Sequence, residues 1–242
     1  MSVLREAART FWPAPGDRHG PLVPMMLALT FVTGVVDAAS YLRLGHVFVA
    51  NMTGNVVFLG FALAGASGLS SATSLIALGS FLIGAVAGGR LGARNAEHRG
   101  HLLRGASALQ VALLAVALIL ALAAAEPPHT ATRYALVVAM ALAMGVQNAA
   151  AQRLAVPELT TTVLTRTLTG LASEAGLAGG TGSKLGRRAV AVAAMLLGAL
   201  TGGLLVLHVA IAAALAVAGA IVLAVGLAVH VASRQDAPWI RA

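Results

Sequence analysis

Eight stretches of this chain, 22–42, 47–66, 71–89, 105–125, 133–152, 157–177, 189–207 and 210–231, can be weighed as membrane crossings, and the basic residues lie mainly in the gaps between them. A helix needs about 20 mostly apolar residues to cross the hydrocarbon of a bilayer. Such a succession leaves no room for a water-soluble fold. Composition agrees: 59% of the 242 residues are hydrophobic, 10% are charged and the mean hydropathy is +0.89, whereas a soluble domain carries about 25% charged residues. The chain therefore reads as an all-α integral membrane protein whose first partner is the lipid bilayer. It has no cysteine, so disulfides, thiolate nucleophiles and cysteine-ligated metals are excluded. The net charge of +8 lies mainly between the apolar stretches. It reads as a topology signal, and no nucleic-acid partner is expected.

Two stretches are unlike the others. Residues 47–66 contain Asn51-Met52-Thr53-Gly54-Asn55. Residues 157–177 contain Pro157, Glu158, Arg166, Glu174 and six threonines: Thr160, Thr161, Thr162, Thr165, Thr167 and Thr169. Polar side chains and irregular backbone survive at membrane depth only where protein or a water-filled cavity surrounds them. If these two dip in and return while the other six cross, and the chain starts inside, the cations divide unequally. Arg5, Arg9, Arg18, Arg90, Arg94, Arg99, Arg104, Arg153, Lys184, Arg187, Arg188, Arg234 and Arg241 fall inside, 13 in all, against Arg43 and Arg133 outside. If all eight cross, the division is 9 against 6. The positive-inside rule selects six spanning helices plus two polar discontinuous or re-entrant segments. Residues 1–21 and 232–242 then form cytoplasmic tails around one membrane domain, 22–231. The run 22–42 exceeds the roughly 7–15 residues of a signal-peptide core and is expected to remain as the first span.

The domain also repeats itself. Thr33-Gly34-Val35-Val36-Asp37-Ala38-Ala39 aligns with Met144-Gly145-Val146-Gln147-Asn148-Ala149-Ala150, an offset of 144 − 33 = 111. Phe81-Leu82-Ile83-Gly84-Ala85-Val86-Ala87-Gly88-Gly89 aligns with Met195-Leu196-Leu197-Gly198-Ala199-Leu200-Thr201-Gly202-Gly203, an offset of 195 − 81 = 114. The halves, about 22–125 and 133–231, each hold three crossings, an odd number, so the second is expected to be inverted relative to the first, as in many secondary transporters.

The residues from Gly34 to Tyr41, followed by Val47-Phe48-Val49-Ala50 and the Asn51–Asn55 block, resemble the signature of the YoaK-like membrane proteins of bacteria, domain of unknown function 1275. The second half agrees through Met144–Ala149 and Thr162–Thr169, and the likeness covers roughly 22–231. The resemblance implies six spans and no substrate. Where the family pattern usually has a glycine between two threonines, this chain carries Arg166.

Several residues are candidates for a solute or ion path. Asp37 is the only carboxylate well inside an apolar run of the first half. It reads either as an ion or proton site, or as a structural carboxylate bonded to backbone amides or to Arg43. Asn51, Thr53, Gly54 and Asn55 put amides, a hydroxyl and flexible backbone together, which suits a neutral polar solute or a partly dehydrated ion, or else a helix interface. Thr162, Thr165 and Thr167 offer hydroxyls to an ion or back to helix carbonyls. Arg166 could bind an anion, neutralise Asp37 or Glu174, or reach the headgroups. Gln147 and Asn148 keep polarity where the first half has Val36 and Asp37. Gly84, Gly88, Gly198 and Gly202 form small-residue seams for close helix packing within the bundle or in a homo-oligomer. No phosphate loop, nucleophile elbow or His-Glu-x-x-His is present, so neither an enzyme nor a cofactor is expected. The function expected is a secondary transporter or permease for a small solute or ion. The alternative is a membrane scaffold or accessory subunit.

Overall fold

A computed structural model describes residues 3–14, 16–124, 128–159, 161–162, 164–174, 184–234 and 237–241, with the side chains of 3 and 4 left aside. Thr160, Val163 and residues 175–177 of the second polar segment, and 178–183 beyond it, lie outside the described residues. The described residues form α1 (Val3–Phe11), α2 (Leu22–Arg43), α3 (Met52–Leu63), α4 (Ser71–Arg94), α5 (Arg99–Ala123), α6 (Thr130–Leu154), α7 (Leu164–Ser173), α8 (Leu185–His208) and α9 (Ile211–Ala232). By length and composition, α2, α4, α5, α6, α8 and α9 can each cross a membrane. The fold is all-helical with six such spans. At about 1.5 Å per residue, the 12-residue α3 and the 10-residue α7 are too short for a bilayer core.

The capping follows local chemistry. Ser70 begins α4 by accepting from the Thr73 amide, and the His98 ring does the same for His101 at the start of α5. After α2, Gly45 and His46 carry positive φ and turn the chain back toward the bundle. Ala155 does so after α6. Within the tail expected at 1–21, residues 3–11 form a helix; Thr10 is buried and Phe11 and Trp12 are exposed.

Two helix pairs pack backbone to backbone. In α2 and α8, a Cβ on Gly34 would collide with the Met195 carbonyl, one on Gly198 with the Phe31 carbonyl, and one on Gly202 with the Val35 carbonyl. In α4 and α6, Gly145 meets the Phe81 carbonyl, Gly84 that of Leu142 and Gly88 that of Val146. Within each pair the sequence numbers rise together, so the two helices run parallel. Their backbones touch because glycine leaves nothing between them.

The chain termini mark one end of the bundle. The Arg99 amide donates to the Ile240 carbonyl at 2.8 Å, the Arg99 side chain to the Arg18 carbonyl at 3.2 Å, and the Gly186 amide to Glu6 at 3.1 Å. The α4–α5 turn therefore lies at the same end as both tails, as six crossings require and eight forbid. At the opposite end Arg43 donates to the Val206 carbonyl at 3.0 Å.

Candidate functional site

Past Leu44 the chain folds back along α2 as far as Asp37, and α3 starts there. Asp37 lies six positions before Arg43, so the return descends roughly 9 Å at the helical rise. The Asp37 carboxylate meets it. Oδ1 accepts from the Val49 amide at 2.9 Å and the Ala50 amide at 2.8 Å. Oδ2 accepts from the Asn51 amide at 3.2 Å and from Asn51 Nδ2 at 2.5 Å. An ionised carboxylate has about four acceptor sites, and these four donors fill them. The geometry is that of a carboxylate bonded to backbone amides.

Asn55 completes this first clasp. It is fully buried; its Oδ1 accepts from the Phe48 amide at 2.9 Å and its Nδ2 donates to the Phe48 carbonyl at 2.6 Å. One side-chain amide thus pairs with residue 48 as a neighbouring strand would. Gly54 lets the Phe48 ring lie against the α3 backbone, since a Cβ would sit 2.6 Å from Phe48 Cδ2. Phe48 stacks on Tyr41, with ring centres 5.1 Å apart, and on Phe58 at 5.7 Å. Thr53 is exposed, away from these contacts.

The second polar segment meets α6 at the matching depth. Asn148 Oδ1 accepts from Thr162 Oγ1 at 2.7 Å, and Asn148 Nδ2 donates to the Met144 carbonyl at 2.9 Å. Asp37 to Asn51 and Asn148 to Thr162 are both separations of 14 residues. The surroundings differ. At the 111-residue offset Gln152 stands for Tyr41 and Arg166 for Asn55. Instead of stacked rings there is a cavity of about 600 Å³ between α4, α6 and α7. Asn148, Gln152, Arg153, Thr162 and Arg166 supply its polar wall, and Phe81 and Ala85 extend it toward the middle of α4. Thr165 is exposed, Thr167 is buried, and the backbone at Glu158 and Thr161 is left-handed, φ 66° and 62°.

Gln147 does not join this cavity. It lies buried in the centre of the bundle, donating to Thr33 Oγ1 at 3.0 Å and the Leu29 carbonyl at 3.3 Å. It accepts from Gln110 Nε2 at 2.7 Å. This amide pair ties α2, α5 and α6 through bonds that cost nothing in unmet polarity. Arg188 anchors α7. It donates to Glu158 at 2.9 and 3.1 Å, to Glu174 at 2.8 Å and to the Gly170 carbonyl at 2.8 Å. The partner of Glu174 is thus Arg188 rather than Arg166. The Arg188 hydrogen bonds hold the Glu158 carboxyl below the usual range against a desolvation that pushes it up, and Glu174 is lowered by the same partner.

Sequence reasoning missed Gln110, Thr33 and Arg188. A single glutamine in an Ala/Leu helix has no spacing to give it away. Arg188 was counted among the topology cations, although Glu158 and Glu174 are the only carboxylates from 127 to 235 and call for a cationic partner.

The model of the family described as "Protein of unknown function (DUF1275)" matches residues 25–228. The UPF0700 transmembrane protein YoaK of Bacillus subtilis (strain 168) is 36% identical over 149 residues, which is 61% of this chain and 64% of YoaK. The aligned stretch thus spans just under two thirds of that relative. No solved structure matches.

Proposed function

The chain belongs to the DUF1275 family of proteins of unknown function, and from that premise we propose that it is a secondary transporter or permease for a small polar solute or anion. The observation that carries this reading is the cavity at the second clasp. It has amide, hydroxyl and guanidinium groups on its wall, it is bounded by a half-length helix, and it reaches inward along α4. Among the described residues two guanidiniums and no carboxylate line it, which favours a solute with negative or partial negative charge. The matched glycine contacts of the α2/α8 and α4/α6 pairs, at offsets of 111 and 114, support an inverted repeat, the plan of many secondary transporters. The cation tally supports an orientation with both termini in the cytoplasm, and the likeness to YoaK of Bacillus subtilis supports a bacterial inner (plasma) membrane. On that orientation the cavity opens toward the cytoplasm.

A scaffold without transport activity is the second reading. Closure of the first clasp favours it, because Asp37 and Asn55 spend their hydrogen bonds on the chain itself.

Uptake of a panel of labelled anions and neutral solutes into proteoliposomes tests the proposal, with Arg166→Gln as the paired variant. Uptake that falls in Arg166→Gln while the variant stays folded supports a path through the cavity. Absence of uptake for every solute, with and without a pH gradient, supports the scaffold. Single cysteines test the orientation. One at Ala96 is expected to react with an impermeant thiol reagent only after permeabilisation, and one at Thr130 in intact cells. Labelling of the Ala96 site from outside would overturn the orientation.

A further inference from the structure

A second cavity lies at the tail-bearing end of the bundle and meets the proposed path only at Arg153, which lines both. It encloses about 260 Å³ and is lined by Arg18, His19, Asn95, Arg99, Arg153 and Leu102, among others. Drug-sized ligand sites run from about 300 to 1,000 Å³, so this volume suits a compact group. Four of the six side chains named are basic and none is acidic.

Arg99 is the centre of it. Only 8% of the residue is exposed, and its hydrogen-bonding partners are the Arg18 carbonyl at 3.2 Å, the His19 ring at 3.1 Å and the Leu154 carbonyl at 2.5 Å. All three are neutral, since burial and the Arg99 charge both push His19 toward its uncharged form. Among the described residues no carboxylate lies within ion-pair distance of Arg99. The nearest acid in the sequence, Glu97, is exposed, and Asp17, beside Arg18, accepts from the His19 amide at 2.7 Å. A buried cation without a counter-charge is costly. Three of the five guanidinium N–H groups are engaged and two are left over. The missing partner is an anion.

The site's level in the membrane points the same way. It is built where four spans end: the start of α2, the end of α4, the start of α5 and the end of α6. Span ends sit at the headgroup layer, and basic pockets between spans suit acidic headgroups there. Leu102 supplies an apolar wall below the charges.

We infer that this pocket binds a phosphate group, with Arg99 as the buried counter-ion and Arg18 and Arg153 closing over the remaining oxygens. Phosphate oxygens suit planar, forked guanidinium donors. The same chemistry is offered by an anionic phospholipid headgroup and by free phosphate.

The full-length protein in uncharged detergent tests it. Thermal stability is titrated with inorganic phosphate in one arm and short-chain phosphatidylglycerol in the other, each against sodium chloride at equal ionic strength. At least one arm is expected to stabilise the protein beyond the chloride control. Stabilisation by phosphatidylglycerol alone assigns the site to the lipid, and by phosphate in its own arm to the soluble anion. Arg99 also holds the end of α6, so the exposed Arg18 carries the decision. Arg18→Gln is expected to weaken the apparent affinity roughly tenfold, the order of one charge-assisted hydrogen bond. Arg166→Gln, in the other cavity, is expected to leave it unchanged. The proposal is overturned if neither ligand stabilises the protein, if Arg18→Gln binds like the parent, or if Arg166→Gln loses binding equally.

Discussion

The two clasps share one layout and differ in what fills it. In the first, a carboxylate at Asp37 takes four donors, an amide at Asn55 braces the returning strand, and Tyr41, Phe48 and Phe58 stack over the junction. In the second, Asn148 takes one hydroxyl from Thr162, Gln152 stands for the tyrosine, Arg166 stands for the bracing asparagine, and space remains. A charge fully bonded to backbone locks a dipping segment. A neutral amide with one hydroxyl leaves the segment tethered but its surroundings open. Side-chain identity at three matched positions thus separates a structural junction from a candidate binding cavity.

The largest expected effect comes from removing the lock. Asp37→Ala orphans three backbone amides and the Asn51 side chain. At about 1–3 kcal/mol for each buried unpaired donor, the loss is several kcal/mol, and assembly is expected to fail or the thermal midpoint to collapse. Asn148→Ala breaks far less and is expected to cost about 1 kcal/mol. Thermal unfolding followed by size-exclusion fluorescence compares them, and equal midpoints would erase the distinction between the clasps.

The glycine seams are where the halves should behave alike. Gly198→Val and Gly84→Val each drive a side chain into a facing carbonyl. Both are expected to destabilise by at least about 1–3 kcal/mol, visible as matched losses of folded protein. A tolerated substitution in one pair alone would break their equivalence.

Acid probes the anchoring of the second clasp. The Glu158 carboxyl is held below its ordinary value of 4.5 by Arg188. The stability it contributes is therefore fully present above that pH and is lost as pH falls through the lowered value. Glu158→Gln is expected to lower the midpoint at pH 7 by the equivalent of about 1 kcal/mol or less. The gap to the parent should narrow below pH 4.5. A gap that widened in acid would contradict the ion pair. Smallest in stability is Arg166→Asn, which restores the first-half residue. It is expected to change stability by no more than about 0.5 kcal/mol, as for exposed positions generally, while reducing anion uptake. Unchanged uptake by an active protein would remove Arg166 from the path.

Six spans and two short polar segments could be read directly, because run length against bilayer thickness decides crossing and backbone polarity decides where a run cannot cross. The 14-residue spacing from Asp37 to Asn51 lay in the sequence too. What could not be read was whether the Asp37 oxygens face a solute or the chain: that depends on the left-handed turn at Gly45 and His46, which brings three amides onto one carboxylate. The buried Gln110–Gln147 pair was hidden for a similar reason. Residues 37 positions apart meet only after two long helices have packed.

The sealed glycine pairs have a mechanical consequence. Each joins a helix of the first half to a helix of the second, α2 with α8 and α4 with α6, through backbone-to-backbone contact. The halves are interlocked and cannot rock past one another as separate bodies without prying carbonyls off glycines. On the proposed transport reading, opening and closing falls to the parts outside the seams. Of the two half-length helices, α3 is bolted down at its start, whereas α7 hangs on α8 by the ion pairs and the single carbonyl bond of Arg188. That makes α7 the more lightly fastened of the two half-length helices and the glycine pairs the fixed frame.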